Sequence, residues 1–172
     1  MTFTNNDWWR DAVIYQIYPR SFSDANGDGN GDLQGVIDRL DYLQALGVDA
    51  LWLSPFYPSP LADGGYDVAD YCDVDPRLGT LDQFDELVAK AHERGIGIIV
   101  DIVPNHTSDQ HRWFQQARQS RENPYHDYYV WRMVPPTSCP TICRRCLAAL
   151  PGSGCLRCSS IISTSLPPSS PT

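Results

Sequence analysis

No stretch of this 172-residue chain approaches the roughly 20 consecutive apolar residues that a membrane-spanning helix needs. Cations are also scarce. Thirteen Lys and Arg stand against 21 Asp and Glu, a formal net charge of −8. A phosphate-binding face requires clustered Lys and Arg, so nucleic acid is not expected as a partner. Residues 1–7 show neither a basic n-region nor an apolar h-region, so no secretory signal is read there and a cytoplasmic location is the expectation. The most informative absence is regional. Beyond Arg132 there is no Asp, Glu, His or aromatic residue, yet residues 133–172 hold five of the six cysteines. One composition does not describe both parts.

What remains is the make-up of a soluble globular protein, 42% hydrophobic and 20% charged, long enough for one domain with a real core. Its organising stretch is residues 95–106, Gly-Ile-Gly-Ile-Ile-Val-Asp-Ile-Val-Pro-Asn-His. The run begins as a β-branched apolar segment, the pattern of a strand buried on both faces of a parallel sheet. It ends in Asp101, Asn105 and His106. Those polar groups either build a site at the strand's carboxyl end or simply cap the following turn.

The remaining segments bear on that choice. The pair Trp8-Trp9 is expected to pack over the bottom or side of the domain, and residues 12–18 read as a first strand closed by Pro19. Next comes Asp24-Ala-Asn26-Gly-Asp28-Gly-Asn30-Gly-Asp32, in which oxygen-bearing residues alternate with small ones. A tightly curled loop of this kind can aim several oxygens at one hard cation such as Ca²⁺. It matches the first half of an EF-hand loop, but Gly35 stands where the bidentate Glu belongs. The plain alternative is a solvated Asn/Asp/Gly turn. Its glycines miss the dinucleotide fingerprint, and a loop so acidic would repel a phosphate.

Residues 33–46 carry apolar side chains at 33, 36, 37, 40, 43 and 46, a helical stripe stopped by Gly47. Residues 50–53 form a second apolar strand, followed by a long loop with Asp63, Tyr66, Asp67 and Asp70. Loops of that length in compact domains are usually functional. Thr80 and Gln83 have capping-box spacing and open a helix with its stripe at Phe84, Leu87, Val88 and Ala91. The order strand–helix–strand–helix–strand predicts βαβ units on a parallel sheet, with the polar loops all following strand carboxyl ends. Such one-sided loading fits a (β/α)₈ barrel or an open α/β sheet. A short helix is expected over 109–121. The aromatics Tyr125, Tyr128, Tyr129 and Trp131 then suit either a core or carbohydrate stacking.

Five segments in register carry a resemblance. They are Trp9-Arg-Asp-Ala-Val-Ile-Tyr-Gln-Ile-Tyr-Pro-Arg-Ser-Phe22, the acidic loop 24–32, Leu51-Trp-Leu-Ser-Pro55, Gly65-Tyr-Asp-Val-Ala-Asp-Tyr71 and Asp101-Ile-Val-Pro-Asn-His-Thr-Ser-Asp109. Together, from about Trp8 to Arg132, they resemble the N-terminal part of bacterial α-glucosidases and oligo-1,6-glucosidases of the α-amylase superfamily. The resemblance implies the first three βα units of a (β/α)₈ TIM barrel over 1–106 and the start of an inserted domain over 107–132. It also implies that Asp24, Asn26, Asp28 and Asp32 are ligands of a structural Ca²⁺ or Mg²⁺. Asp63 and His106 would bond the hydroxyls of a glucose in subsite −1, and Tyr66 would stack on it. Asp101 would organise the site by pairing with a later Arg. The implied substrates are α-glucoside disaccharides or oligosaccharides and the implied chemistry is retaining hydrolysis. The family's nucleophile and acid/base lie on later strands and have no match in these 172 residues, so the chain by itself is expected to be inactive.

The resemblance leaves rivals standing. A trehalose synthase or another α-glucosyltransferase shares these motifs. A non-catalytic sugar- or metal-binding module with a zinc tail is the rival of another class. In the tail, Cys143-x-x-Cys146 and Cys155-x-x-Cys158 have Cys₄ character, but the gap between the pairs is shorter than the usual ribbon spacing. The favoured reading of 133–172 is a disordered, out-of-frame translation of a GC-rich coding sequence, without zinc.

Overall fold

Three short apolar runs align as the strands of one parallel sheet. In the computed structural model, which describes residues 7–131, β1 (Ile14–Ile17), β2 (Ala50–Leu53) and β3 (Gly97–Val100) lie in the order β1-β2-β3. Both pairings are parallel, with Ile14 opposite Ala50 and Ala50 opposite Gly97. This is the expected α/β arrangement, the first three βα units of a barrel. The readings of 133–172, a zinc site included, lie outside the described residues. Residues 7–103 and Ser108–His111 form one compact unit; Pro104–Thr107 and residues 112–131 belong to a second. The sequence had suggested a boundary at Thr107.

In the first unit, the 33–46 stripe forms two helices rather than one. Helix α2 (Leu33–Asp38) and helix α3 (Leu40–Leu46) are separated by Arg39, at φ −102° and ψ 4°. They follow a short turn of helix, α1 (Pro19–Phe22), that the sequence reading had not assigned. Leu33, Val36, Ile37, Leu40 and Leu43 are buried, but Leu46, at the end of α3 beside Gly47, is 52% exposed. Helix α4 (Leu81–Glu93) begins at the capping box: Thr80 accepts from the Gln83 N–H at 3.2 Å and Gln83 accepts from the Thr80 N–H at 3.1 Å. Leu87 and Ala91 of α4 are buried, and the helix packs on α2 and β3.

The core of this unit joins Ile17, Leu51 and Leu53 of the sheet to Leu33, Leu40, Leu43, Leu87 and Ile96. Among the described residues β1 and β3 each pair on one side only. The consequences are visible in both strands. Ile14 is 44% exposed, and Ile98, Ile99 and Val100 are half-buried rather than buried on both faces. A groove of about 730 Å³ beside β1 is lined by Tyr15, Gln16, Tyr18, Phe22, Arg39 and Tyr42. Trp9, expected to pack on the domain, is 53% exposed and stacks instead under the Arg10 guanidinium, 4.8 Å from the ring centre.

The second unit is small and aromatic. Helix α5 (Arg112–Ala117) buries Phe114 and Ala117 with Tyr129, and Trp113, Tyr125 and Trp131 pack around them. Phe114 and Trp131 stack at 5.7 Å, and the Trp131 indole N–H donates to the His126 carbonyl at 2.8 Å. Of the two uses open to these aromatics, packing is the one that Phe114, Tyr129 and Trp131 serve.

Candidate functional site

The three parallel strands deliver three polar loops from their carboxyl ends. After β1 comes the acidic loop. Asp24 accepts from the N–H of Gly27 at 2.6 Å and of Gly29 at 2.8 Å. Asn26 and Asp28 each take the N–H two residues on, both at 2.8 Å. These Asx turns use glycines in the left-handed region, Gly27 at φ 80° and Gly29 at φ 91°. The Gly29 N–H, followed by that of Gly27, holds the Asp24 carboxyl below its ordinary pKa. Asp32 closes the loop and is buried: it caps α2 by accepting from Gly35 N–H at 2.6 Å and also takes Ala25 N–H at 3.2 Å. The loop's end is clamped to the segment after β1, where Gly31 N–H donates to the Arg20 carbonyl at 2.7 Å. A Cβ on Gly31 would lie 2.2 Å from the Pro19 oxygen, so this clamp requires glycine.

The donor set of this loop is one of hard oxygens, as Ca²⁺ or Mg²⁺ requires. Among the described residues no three His, Cys, Asp or Glu side chains converge to hold a metal. A cation in this loop would have to draw on the Asn26 amide oxygen beside the carboxylates. An oxygen that accepts one N–H retains a second lone pair for a cation, so the residues present fit such an ion.

The second loop follows β2 and carries Asp63 and Tyr66, both exposed. The third group stands one residue past β3. Asp101 accepts from the Tyr66 hydroxyl at 3.0 Å, joining the ends of two strands through one bond. Partial desolvation of the otherwise exposed ring, then the bond to Asp101, pushes the Tyr66 phenol above its usual pKa, so it remains a donor. Tyr57 is raised likewise, by burial first and then by the Asp101 charge. Behind them Gln16 donates to the buried Ser54 hydroxyl at 3.2 Å, and the Tyr18 hydroxyl reaches the Gly64 carbonyl at 3.0 Å. Asp63, Tyr66 and Asp101 thus belong to one unit. His106 belongs to the second, where its Nδ1 lies 3.5 Å from the Asn105 side-chain nitrogen.

The sequence reading named Asp67 in the second loop without a role and did not name Ser59, Asp75 or Arg77, which shape the loop with it. Buried Asp67 takes hydrogen bonds from the Ser59 hydroxyl at 2.7 Å, Ala62 N–H at 2.8 Å and Asp63 N–H at 3.1 Å. Burial acts to raise its pKa, but those three donors outweigh it and hold the carboxyl below the ordinary range. Asp75, 3% exposed, is gripped by Arg77, which also donates to the Ser59 carbonyl at 2.6 Å. Among the described residues no buried side-chain nitrogen or oxygen lacks a partner. The eight- and eighteen-residue separations lie within a loop, where no helical or strand period applies, which is why the pattern was invisible beforehand.

Comparison with known proteins adds an independent line. A family model described as alpha amylase, catalytic domain, matches residues 16–145. The chain is 54% identical over 134 residues to an oligo-1,6-glucosidase of Heyndrickxia coagulans, which covers 78% of this chain and 24% of that relative. It is 59% identical over 133 residues to a trehalose-6-phosphate hydrolase of Escherichia coli K12, with 77% and 24% covered. The solved structure of an isomaltulose synthase from Klebsiella sp. LX3 superposes with a TM-score of 0.72 at 53% identity, over 73% of this chain and 22% of that one. The chain therefore spans about a quarter of the length of the curated relatives it matches.

Proposed function

The chain belongs to the alpha-amylase catalytic-domain family, and from that premise we propose that it carries the sugar-binding and metal-loop part of an α-glucosidase-type site. The observation that carries this reading is the Tyr66–Asp101 bond, which sets an aromatic face and a carboxylate together where two parallel strands end. In a (β/α)₈ barrel that end is where substrate binds. Tyr66 would stack on the apolar face of a glucose and Asp63 would bond its hydroxyls. Asp101 would hold the Tyr66 ring in place. The resemblance assigns His106 a further hydroxyl bond, a role that rests on likeness alone. Asp24, Asn26, Asp28 and Asp32 would hold a Ca²⁺ or Mg²⁺, which at that loop would supply structural cross-linking.

Retaining hydrolysis needs two carboxyl groups about 5–5.5 Å apart, one as nucleophile and one as acid then base. The resemblance puts both on later strands, so these 172 residues by themselves would bind α-glucosides without cleaving them. Titration calorimetry with maltose tests the binding, with Asp63→Ala and Tyr66→Ala expected to abolish it; equal heats from wild type and both variants would refute the site. Detectable turnover of p-nitrophenyl-α-glucoside by the purified chain would refute the inactivity.

A second reading, glucosyl transfer, is favoured by the likeness to an isomaltulose synthase, whose structure matches as well as the hydrolases do in sequence. The products that a longer chain, with residues 1–131 followed by the later strands, makes from sucrose separate the two readings. Glucose and fructose support hydrolysis and an isomerised disaccharide supports transfer.

A further inference from the structure

The loop that presents Asp63 and Tyr66 follows a path that few residues adopt unaided. Leu61 sits at φ 62°, Gly64 at φ 62° and Gly65 at φ 109°, three left-handed residues within five. For Leu61 this is a sterically disfavoured conformation that persists only where the surroundings impose it. The imposing group is inside the loop. One Asp67 oxygen accepts from Ser59 Oγ and Asp63 N–H, and the other accepts from Ala62 N–H. Ser59 Oγ in turn receives the Leu61 N–H at 2.9 Å, so the four residues 59, 61, 62 and 63 are tied to one carboxylate directly or through one hydroxyl. Asp63 then accepts the Tyr66 N–H on its carbonyl at 3.0 Å, which carries the constraint to the second presenting residue. The arrangement calls for two acceptor oxygens. An Asn at 67 offers one, and its amide N–H₂ would face a backbone N–H.

We propose that Asp67 is a positioning residue for α-glucoside binding: it touches no sugar, and it fixes the backbone at Ala62 and Asp63 so that the Asp63 carboxylate and the Tyr66 ring meet the same glucose. This rests on the sugar-binding reading of Asp63 and Tyr66 above. The substitution Asp67→Asn keeps the shape and removes one acceptor, and it therefore separates positioning from bulk packing.

The test is amide hydrogen exchange over residues 59–67 in the full 172-residue chain, alongside calorimetric titration with maltose. In the wild type the Ala62 and Asp63 amides, both bonded to Asp67, are expected to exchange slowly. Asp67→Asn is expected to speed them by about tenfold or more, the loss of a charge-assisted bond, to leave α4 unchanged and to weaken maltose binding by about the same factor. Ser59→Ala, a milder cut in the same network, moves both readouts in the same direction by less. Asp63→Ala loses maltose and leaves the Ala62 amide slow, which marks the binding group apart from the positioning one. Unchanged protection in Asp67→Asn overturns the proposal. So does raised exchange with undiminished maltose affinity, or exchange raised equally through β1–β3 and α4, the mark of a purely structural role. If the wild-type chain takes no maltose while Asp67→Asn still frees only Ala62 and Asp63, the sugar-binding reading is what fails and the substrate half of this proposal falls with it.

Discussion

The two polar loops of the first unit solve the same problem in opposite ways. In residues 24–32 Asp24 and Asp28 are exposed and, with Asn26, bond N–H groups two to five positions along, while the closing Asp32 is buried. In residues 59–77 the carboxylates of Asp67 and Asp75 are buried and bind Ser59, Ala62, Asp63 and Arg77 across the loop. An exposed Asx turn exchanges water for backbone at little net gain. A buried carboxylate has lost its water, so every donor it holds matters. The first loop is thus a conformation held by short-range bonds, and the second is a frame closed by longer-range ones for the side chains it presents.

The largest effect that can break this contrast is expected at Asp75. Removing one partner of a buried ion pair costs about 3–5 kcal/mol. The Asp75 side chain is 5% exposed but that of Arg77 is 53% exposed, so solvent takes up part of the loss. Asp75→Ala should therefore fall at the lower end, about 3 kcal/mol, read from the urea midpoint at unchanged m-value. A shift below about 1 kcal/mol would put this network on the same footing as a surface pair.

Acid should act on the same loop more gently, since protonation leaves the packing intact. The folded pKa values of Asp67 and Asp75 are both depressed. Their contribution to stability is then fully present above the unfolded carboxylate value of about 3.9 and is lost as pH falls below it through the folded values. Stability followed by urea titration should be flat for these groups from neutral pH to about 4 and decline beneath. In Asp75→Ala the decline should be shallower; an identical acid limb in the variant would remove Asp75 from the account.

The acidic loop sharpens the contrast from the other side. With chelator present, Asn26→Ala should change the urea midpoint by no more than about 0.5 kcal/mol, as for other exposed substitutions. Adding Ca²⁺ should raise the wild-type melting temperature through binding to the folded state alone, and should leave Asn26→Ala where it was. Equal Ca²⁺ responses from both proteins would remove Asn26 from the ligand set.

Much of this was legible beforehand, for reasons that follow from sequence separation. The strands at 14–17, 50–53 and 97–100 are short apolar runs, and the Thr80–Gln83 capping box is a local spacing rule that the structure meets bond for bond. The Asx pattern at 24–32 is legible because each bond spans only a few residues. The break at Arg39 was not, since an unbroken apolar stripe continues through it. The half-exposed face of β3 also could not be read, because how far a strand is buried depends on its neighbours rather than on its own residues. Asp67 stood in plain view beside Tyr66, but its partners are fixed by the fold of the loop and not by any period. Tyr66 meeting Asp101, 35 positions on, required the sheet itself.

A comparably small effect is expected at Tyr18. Tyr18 stands one residue past β1, and its hydroxyl donates to the Gly64 carbonyl in the second loop at 3.0 Å. Tyr18→Phe keeps the ring and removes only that donor. Both Tyr18 and Gly64 are exposed, so water can replace the hydroxyl and the loss belongs at the low end for a neutral hydrogen bond, about 0.5 kcal/mol. The Ala62 and Asp63 amides should remain slow to exchange in this variant, because Asp67 still holds them. Should Tyr18→Phe instead cost more than about 1.5 kcal/mol and free those amides, the frame of the second loop would be anchored on β1 from outside. The buried carboxylate would then be a consequence of the loop's shape and not its cause.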